Sequence, residues 1–299
     1  MILLAVLEYA ILASTFTLAK VAVHHADPLF LIGVRMTASA PLMFLVHRLH
    51  GNKSFQIDRT DYFKFFLVSV FHIFLPFIGE FWALQYLSSA KTAITYSLTP
   101  FIAAVLSFFL LSKKLTFKQT FGLVIGLLGL LPIFLSSDEV AFGAELFHVS
   151  WPEIILFLSV TSASYAWFIV SDLMAKGYGI SLINGVAMLC GGIMSLVLWF
   201  MVSGSESPIR GDVPSFLLWT SLLIIVANVI SYNFYGWLLR HVSITFMSAI
   251  GFLCPIFASL YGLVLLNENL GMSHFIALIM VGFGLWLFYQ DEMKNRGKA

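Results

Sequence analysis

Apolar runs long enough to cross a bilayer follow one another along this chain almost without interruption, and that succession excludes most folds before any motif is read. A helix that spans the hydrocarbon core takes about 20 residues. The connections between runs are too short to build a soluble domain, so the whole chain reads as membrane domain. Only 10% of the 299 residues are charged and 60% are hydrophobic, against roughly a quarter charged in a soluble domain. Breaks at polar, Gly and Pro residues predict ten helices, near 3–23, 28–48, 63–87, 91–112, 116–135, 152–174, 181–203, 215–239, 244–266 and 270–289. The expected fold is therefore all-α and polytopic. The first run lacks a basic leader and is followed at once by a second, so it reads as helix 1 and not as a cleaved signal peptide.

Charge placement predicts the orientation. Twelve basic residues fall on one side of the ten spans: Arg48, Lys53, Arg59, Lys64, Lys113, Lys114, Lys118, Lys176, Arg240, Lys294, Arg296 and Lys298. The other side holds Lys91 and Arg210, and its longest connection, Ser136 to Pro152, carries Asp138, Glu139 and Glu145 with no Lys or Arg. The positive-inside rule puts both termini in the cytoplasm, and an even number of spans requires them to share a side.

The chain also repeats itself. A shift of 155 residues lays Trp82 on Trp237, Ser88 on Ser243, Pro100 on Pro255 and Gly129 on Gly284, with twelve identities and no gap between 82–130 and 237–285. A shift of 152 aligns Ile32-Gly-Val-Arg-Met36 with Asn184-Gly-Val-Ala-Met188. These matches divide the chain into a first repeat over 1–137, an external linker over 138–151 and a second repeat over 152–299. Five helices is an odd number, so the second half enters the membrane inverted, as in secondary transporters that bind substrate between two repeats. Pro100 and Pro255, each inside a predicted helix, are expected to bend it and to serve as gating points.

Ten helices as five plus five, the paired Pro100 and Pro255, the Leu266-Asn-Glu-Asn-Leu270 stretch and the Gly-rich final helices resemble the EamA-type branch of the drug/metabolite transporter superfamily. The resemblance covers nearly the whole chain and rests on loose motifs. One departure is Lys113, which stands opposite Glu268 where the family usually carries an acidic residue in both halves. The family implies a carrier of amino acids, their derivatives, nucleotide-like metabolites or drugs.

Ionisable side chains inside a span are expensive unless they face a cavity or a partner, and each is a functional candidate. Lys20 lies about four residues from the outer end of predicted helix 1, and Arg35 and Glu80 about seven from theirs, or roughly 6 to 10 Å deep at 1.5 Å per residue. Two cations and one carboxylate at similar depth suit a zwitterion, with Lys20 or Arg35 on its carboxylate and Glu80 on its ammonium group. Arginine fits the first role because its fork is bidentate. The plainer readings are that Lys20 snorkels to the headgroups and that Arg35 and Glu80 form a structural ion pair. Glu8 is expected to reach the cytoplasmic interface, and Asp172 and Glu268 to be solvated or capping. His72 and Glu80 are candidates for proton coupling. Trp82, Tyr96, Tyr165, Trp167, Asn228, Tyr232 and Asn233 supply rings and amides for the rest of a substrate site. Gly185, Gly191 and Gly192 permit close helix contact.

Other classes of chemistry lack their residues. The sequence contains no GxxxxGK[ST] phosphate loop and no HExxH. Cys190 and Cys254 sit in apolar runs away from any ligand pattern, so neither a disulfide nor a metal site is expected. No basic stripe with interleaved aromatics offers itself to nucleic acid. The expectation is a cofactor-free secondary carrier of the bacterial inner membrane, monomeric or homodimeric, working by alternating access with a coupling proton or an exchanged metabolite. Its first-choice substrate is a small amine-bearing metabolite such as an amino acid. The second choice is a nucleoside-containing metabolite such as S-adenosylmethionine, and a membrane enzyme or lipid-handling protein is the reading from another class.

Overall fold

The computed structural model describes residues 1–49, 55–83, 85–86, 95–96, 98–112, 115–136, 151–203, 207–266, 276, 279–284, 286–288 and 290. Lys53, Lys91, Lys113, Lys114, residues 137–150, Glu268 and the basic tail lie outside the described residues, as does the Lys20 side chain. Among the described residues the fold is all-helical, with one isolated β-bridge between Ala26 and Ile209. Six helices have the length and composition to cross a membrane: α1 Ile2–His24, α2 Pro28–Leu49, α3 Arg59–Ala83, α6 Trp151–Ala175, α7 Ile180–Ser203 and α8 Val213–Leu239. Shorter ones complete the bundle: α4 Thr99–Leu111, α5 Phe117–Ser136, α9 Ile244–Ile250, α10 Cys254–Leu266 and α11 Ile279–Phe288.

Small residues set the closest approaches, as expected where lipid supplies no hydrophobic drive between helices. A Cβ added at Gly33 would lie 2.5 Å from Cγ of Leu196, and one at Gly185 would lie 2.6 Å from the Phe44 ring, so α2 and α7 pack backbone to backbone. Gly79 brings α3 equally close to Ser159 of α6. Several hydroxyls inside the helices are turned onto carbonyls, as with Ser39 onto Arg35 and Ser195 onto Gly191, which satisfies these groups in an apolar medium.

Two spans change pitch. Ser69–Phe74 within α3 and Ile224–Ser231 within α8 are π-helical, a feature that concentrates at functional sites because it re-aims side chains. The hydroxyl of Ser162 donates to the Phe71 carbonyl at 2.9 Å and so satisfies a group in the first of these turns.

The prolines sit differently from expectation. Pro100 occupies the first turn of α4, and Pro255 the first turn of α10, directly after a 3₁₀ stretch over Gly251–Leu253. Neither bends a continuous α-helix from its middle. A proline in the first helical turn lacks only an N–H that would be unpaired there, and its ring fixes φ for helix entry. The chain therefore uses these residues to start helices beside the cavity.

Connections predicted to share a side meet there. Asp27 N donates to the Pro208 carbonyl at 2.8 Å and Arg210 N to His25 at 2.8 Å, with Arg210 3.7 Å from the Asp27 carboxylate. On the opposite face Lys64 contacts Asp172 at 2.5 Å, and Lys176 and the Tyr178 hydroxyl both bond Asp61, which ties α3 to α6. Asp172 is thus a solvated ion-pair residue, as the sequence suggested. Asp212 caps α8 through Ser215 N, and this bond holds its carboxyl below the usual carboxylate range. That contribution to stability is present above the ordinary value of about 3.9 and is lost as pH falls through the lowered one.

Candidate functional site

Residues of α1, α2, α3, α6, α8 and the α9–α10 break enclose a cavity of ≈ 180 Å³. Its wall is largely aromatic, with Phe16, Phe77, Trp167, Tyr232 and Tyr235 among the lining side chains. Four ionisable groups join them: Glu8 from α1, Arg35 from α2, and His72 and Glu80 from α3. All four are buried, at 0%, 3%, 3% and 7% exposure.

The second π-turn positions two of them. Asn228 and Ser231 stand three residues apart within it; the Asn228 carbonyl oxygen accepts from Arg35 Nε at 2.6 Å, and the Ser231 hydroxyl donates to Glu8 Oε1. Asn228 is in turn seated with Nδ2 against the Met36 sulfur at 3.0 Å. Among the described residues this bond at Nε is the hydrogen bond that the Arg35 side chain makes, and its terminal nitrogens are left for a ligand. The guanidinium carbon lies 5.1 Å from the centroid of Phe77, a cation–π distance.

Glu80 accepts from the Tyr96 hydroxyl at 2.5 Å. It does not form the direct ion pair with Arg35 that the sequence allowed: among the described residues no nitrogen–oxygen contact within 4.0 Å joins them. The two charges face the cavity from separate supports. His72 is wedged edge-on between Trp167 at 4.6 Å and Tyr232 at 5.1 Å, and among the described residues neither of its ring nitrogens has a hydrogen-bond partner. Any proton it moved would have to be exchanged with the cavity contents. Chemically the arrangement offers a fork for an anionic group, two carboxylates for cationic ones and flat rings for an aromatic body. Among the described residues no cluster of His, Cys, Asp and Glu is able to hold a metal ion.

Comparison with known proteins decides the family, since the model of the EamA-like transporter family matches residues 1–135 and 150–290. The chain belongs to the EamA-like transporter family. A Chlamydia muridarum protein named S-adenosylmethionine/S-adenosylhomocysteine transporter is 32% identical over 98% of this chain and 93% of its own length. A protein of the same name from Chlamydia trachomatis serovar L2 is 32% identical over 98% and 90%. The transporter YoaV of Bacillus subtilis is 24% identical over 91% of each chain. A solved crystal structure superposes with a TM-score of 0.74 at 16% identity, covering 98% of this chain and 96% of that one, and so shares the fold.

Within this EamA-like transporter, the residues singled out from sequence fall into three groups. Arg35, His72, Glu80, Tyr96, Trp167 and Tyr232 line the cavity. Asn228 stands behind Arg35 and aims it. Trp82, Tyr165 and Asn233 lie elsewhere: Trp82 packs on Tyr86 at 4.9 Å, Tyr165 on Phe71 at 5.5 Å, and Asn233 bonds the Val229 carbonyl at 2.7 Å. Trp82 follows Glu80 by two positions and Tyr165 precedes Trp167 by two, so about 200° of helix turn sets the members of each pair on opposite sides, and Asn233 lies one position past Tyr232. Glu8 is the opposite correction. Expected at the cytoplasmic interface, it is fully buried on the cavity wall, because α1 packs that face against α8 and α10. Ser231, Tyr9 and Tyr235 were also missed. For Glu8, the signal was its being ionisable within a span.

Proposed function

We propose that this transporter carries an S-adenosyl metabolite, S-adenosylmethionine above all, across the bacterial inner membrane by alternating access. A free amino acid was the first choice from sequence. The nucleoside-containing alternative is better supported by the two chlamydial relatives and by the aromatic wall, which exceeds what an amino acid needs. The observation that carries the reading is the joining, in one buried cavity, of zwitterion-reading charges to a run of rings from Trp167 to Tyr235, 4.2 Å apart. Arg35 takes the α-carboxylate, Glu80 the α-ammonium, and the rings take the adenine.

Uptake of labelled S-adenosylmethionine into proteoliposomes tests this. Saturable uptake competed by S-adenosylhomocysteine and not by methionine is expected. Uptake of methionine alone would restore the amino-acid reading.

Alternating access draws support from internal symmetry. The π-turns begin at Ser69 and Ile224, and α4 and α10 run Thr99–Leu111 and Cys254–Leu266, each pair 155 positions apart like the matching sequence. The six long helices and four shorter apolar stretches, with α9 and α10 joined as one, accord with ten spans in two inverted repeats, 1–137 and 152–299, with 138–151 between them. Both termini are then cytoplasmic. A cysteine replacing exposed Ser207 should react with a membrane-impermeant thiol reagent in intact cells, and one replacing exposed Thr60 should not. The reverse pattern would overturn the orientation.

A further inference from the structure

Arg35 and Glu80 each have an evident task at the cavity; Glu8 does not. Its carboxyl group is completely buried, Oε1 accepts from Ser231, and among the described residues Oε2 has no hydrogen-bond partner although Glu8 lines the cavity. An unpaired buried carboxylate oxygen is costly, and among the described residues no lysine or arginine pairs with it. Arg35 is anchored instead on Asn228 beside Phe77. The neighbours of Glu8 on the wall are rings: Tyr9 meets Tyr235 edge to face at 6.3 Å, and Tyr235 meets Trp167 at 4.2 Å. One carboxyl oxygen on a wall shared with the Tyr9, Tyr235 and Trp167 rings suits a compact organic cation without N–H donors. An ammonium group would ask for several acceptors, whereas a sulfonium is recognised through charge and polarisable faces alone.

We propose that Glu8 is the subsite for a sulfonium centre, and that it makes the carrier prefer the cationic form of its substrate over the neutral thioether. The assignment rests on the S-adenosyl reading for its substrate, while its chemistry is testable apart from that reading.

The test compares uptake of S-adenosylmethionine and S-adenosylhomocysteine by the wild type and by Glu8→Gln, whose carboxamide oxygen still accepts from Ser231. The ratio of uptake efficiencies, methionine form over homocysteine form, should fall about 10- to 100-fold, the worth of one charge-assisted contact. An unchanged ratio overturns the subsite. Failure of the wild type to move either compound overturns the S-adenosyl reading and leaves the subsite to a second measurement. In that one, millimolar trimethylsulfonium should raise the thermal midpoint of purified wild type, and dimethyl sulfide, its neutral counterpart, should not. This arm needs no substitution. No response to trimethylsulfonium, or an equal response to both probes, overturns the proposal.

Discussion

Replacing Arg35 with glutamine should lower S-adenosylmethionine uptake by about 100-fold or more while leaving most of the protein folded. Two charge-assisted hydrogen bonds to a carboxylate, at about 1.5–3 kcal/mol each, correspond to a loss of that size or larger. A structural ion pair would behave otherwise. Removing one partner of such a pair strands a buried charge and costs about 3–5 kcal/mol of stability. Here the nearest anchor of Arg35 is the neutral Asn228 amide at 2.6 Å, and Glu80 has its own donor in Tyr96, so no ion-paired charge is stranded and the loss is one hydrogen bond to Asn228. Arg35→Lys keeps the charge but loses both the fork and the Nε bond, and should fall between the two. Glu80→Gln retains an acceptor for Tyr96 and should likewise lose transport more than stability. Initial uptake rates in proteoliposomes, set beside unfolding midpoints in detergent, separate these outcomes. Full transport by Arg35→Gln would remove the guanidinium from the site.

Gly192→Leu should fail at the earlier step of assembling α2 against α7. A Cβ at Gly192 would stand 2.6 Å from Thr37 Oγ1, 2.7 Å from the Thr37 backbone nitrogen and 3.1 Å from the Gly33 carbonyl oxygen. Two of these atoms are backbone and yield only if α2 moves as a whole. Overpacking a close contact costs about 1–3 kcal/mol for added methylenes; a leucine adds four carbons at a backbone contact, so the upper end or beyond is expected. Because Arg35 lies on α2 between Gly33 and Thr37, displacement of that helix also moves the cavity. Gly282→Ala is the control, since a Cβ there meets nothing within 4 Å. The yield of monodisperse protein and its unfolding midpoint report the result. Wild-type values for Gly192→Leu would show that the α2–α7 contact is not a tight one.

The spans were legible because length and apolarity alone decide them in a bilayer. The run expected near 3–23 is observed as Ile2–His24, the one near 28–48 as Pro28–Leu49 and the one near 181–203 as Ile180–Ser203. Arg35 and Glu80 were legible for a related reason: a charge in hydrocarbon must face something polar, so burial in lipid leaves the cavity as its destination. Spacing reveals that a proline lies within an apolar run, and not whether a helix starts or changes pitch there, as it does before Pro255.

Which side of each helix faces inward was decided only by packing. In a soluble protein the polar stripe records that rotation; in α1 the residues around Glu8 are apolar on all sides, so nothing in the sequence distinguished the cavity from the interface. The sequence by itself determined the six long spans and which of them carry charge, because these follow from the cost of polar groups in lipid. Contacts between helices, such as those closed by Gly33 and Gly192, decided the rest: they fixed the rotation and depth that bring Glu8, Arg35, His72 and Glu80 to one cavity.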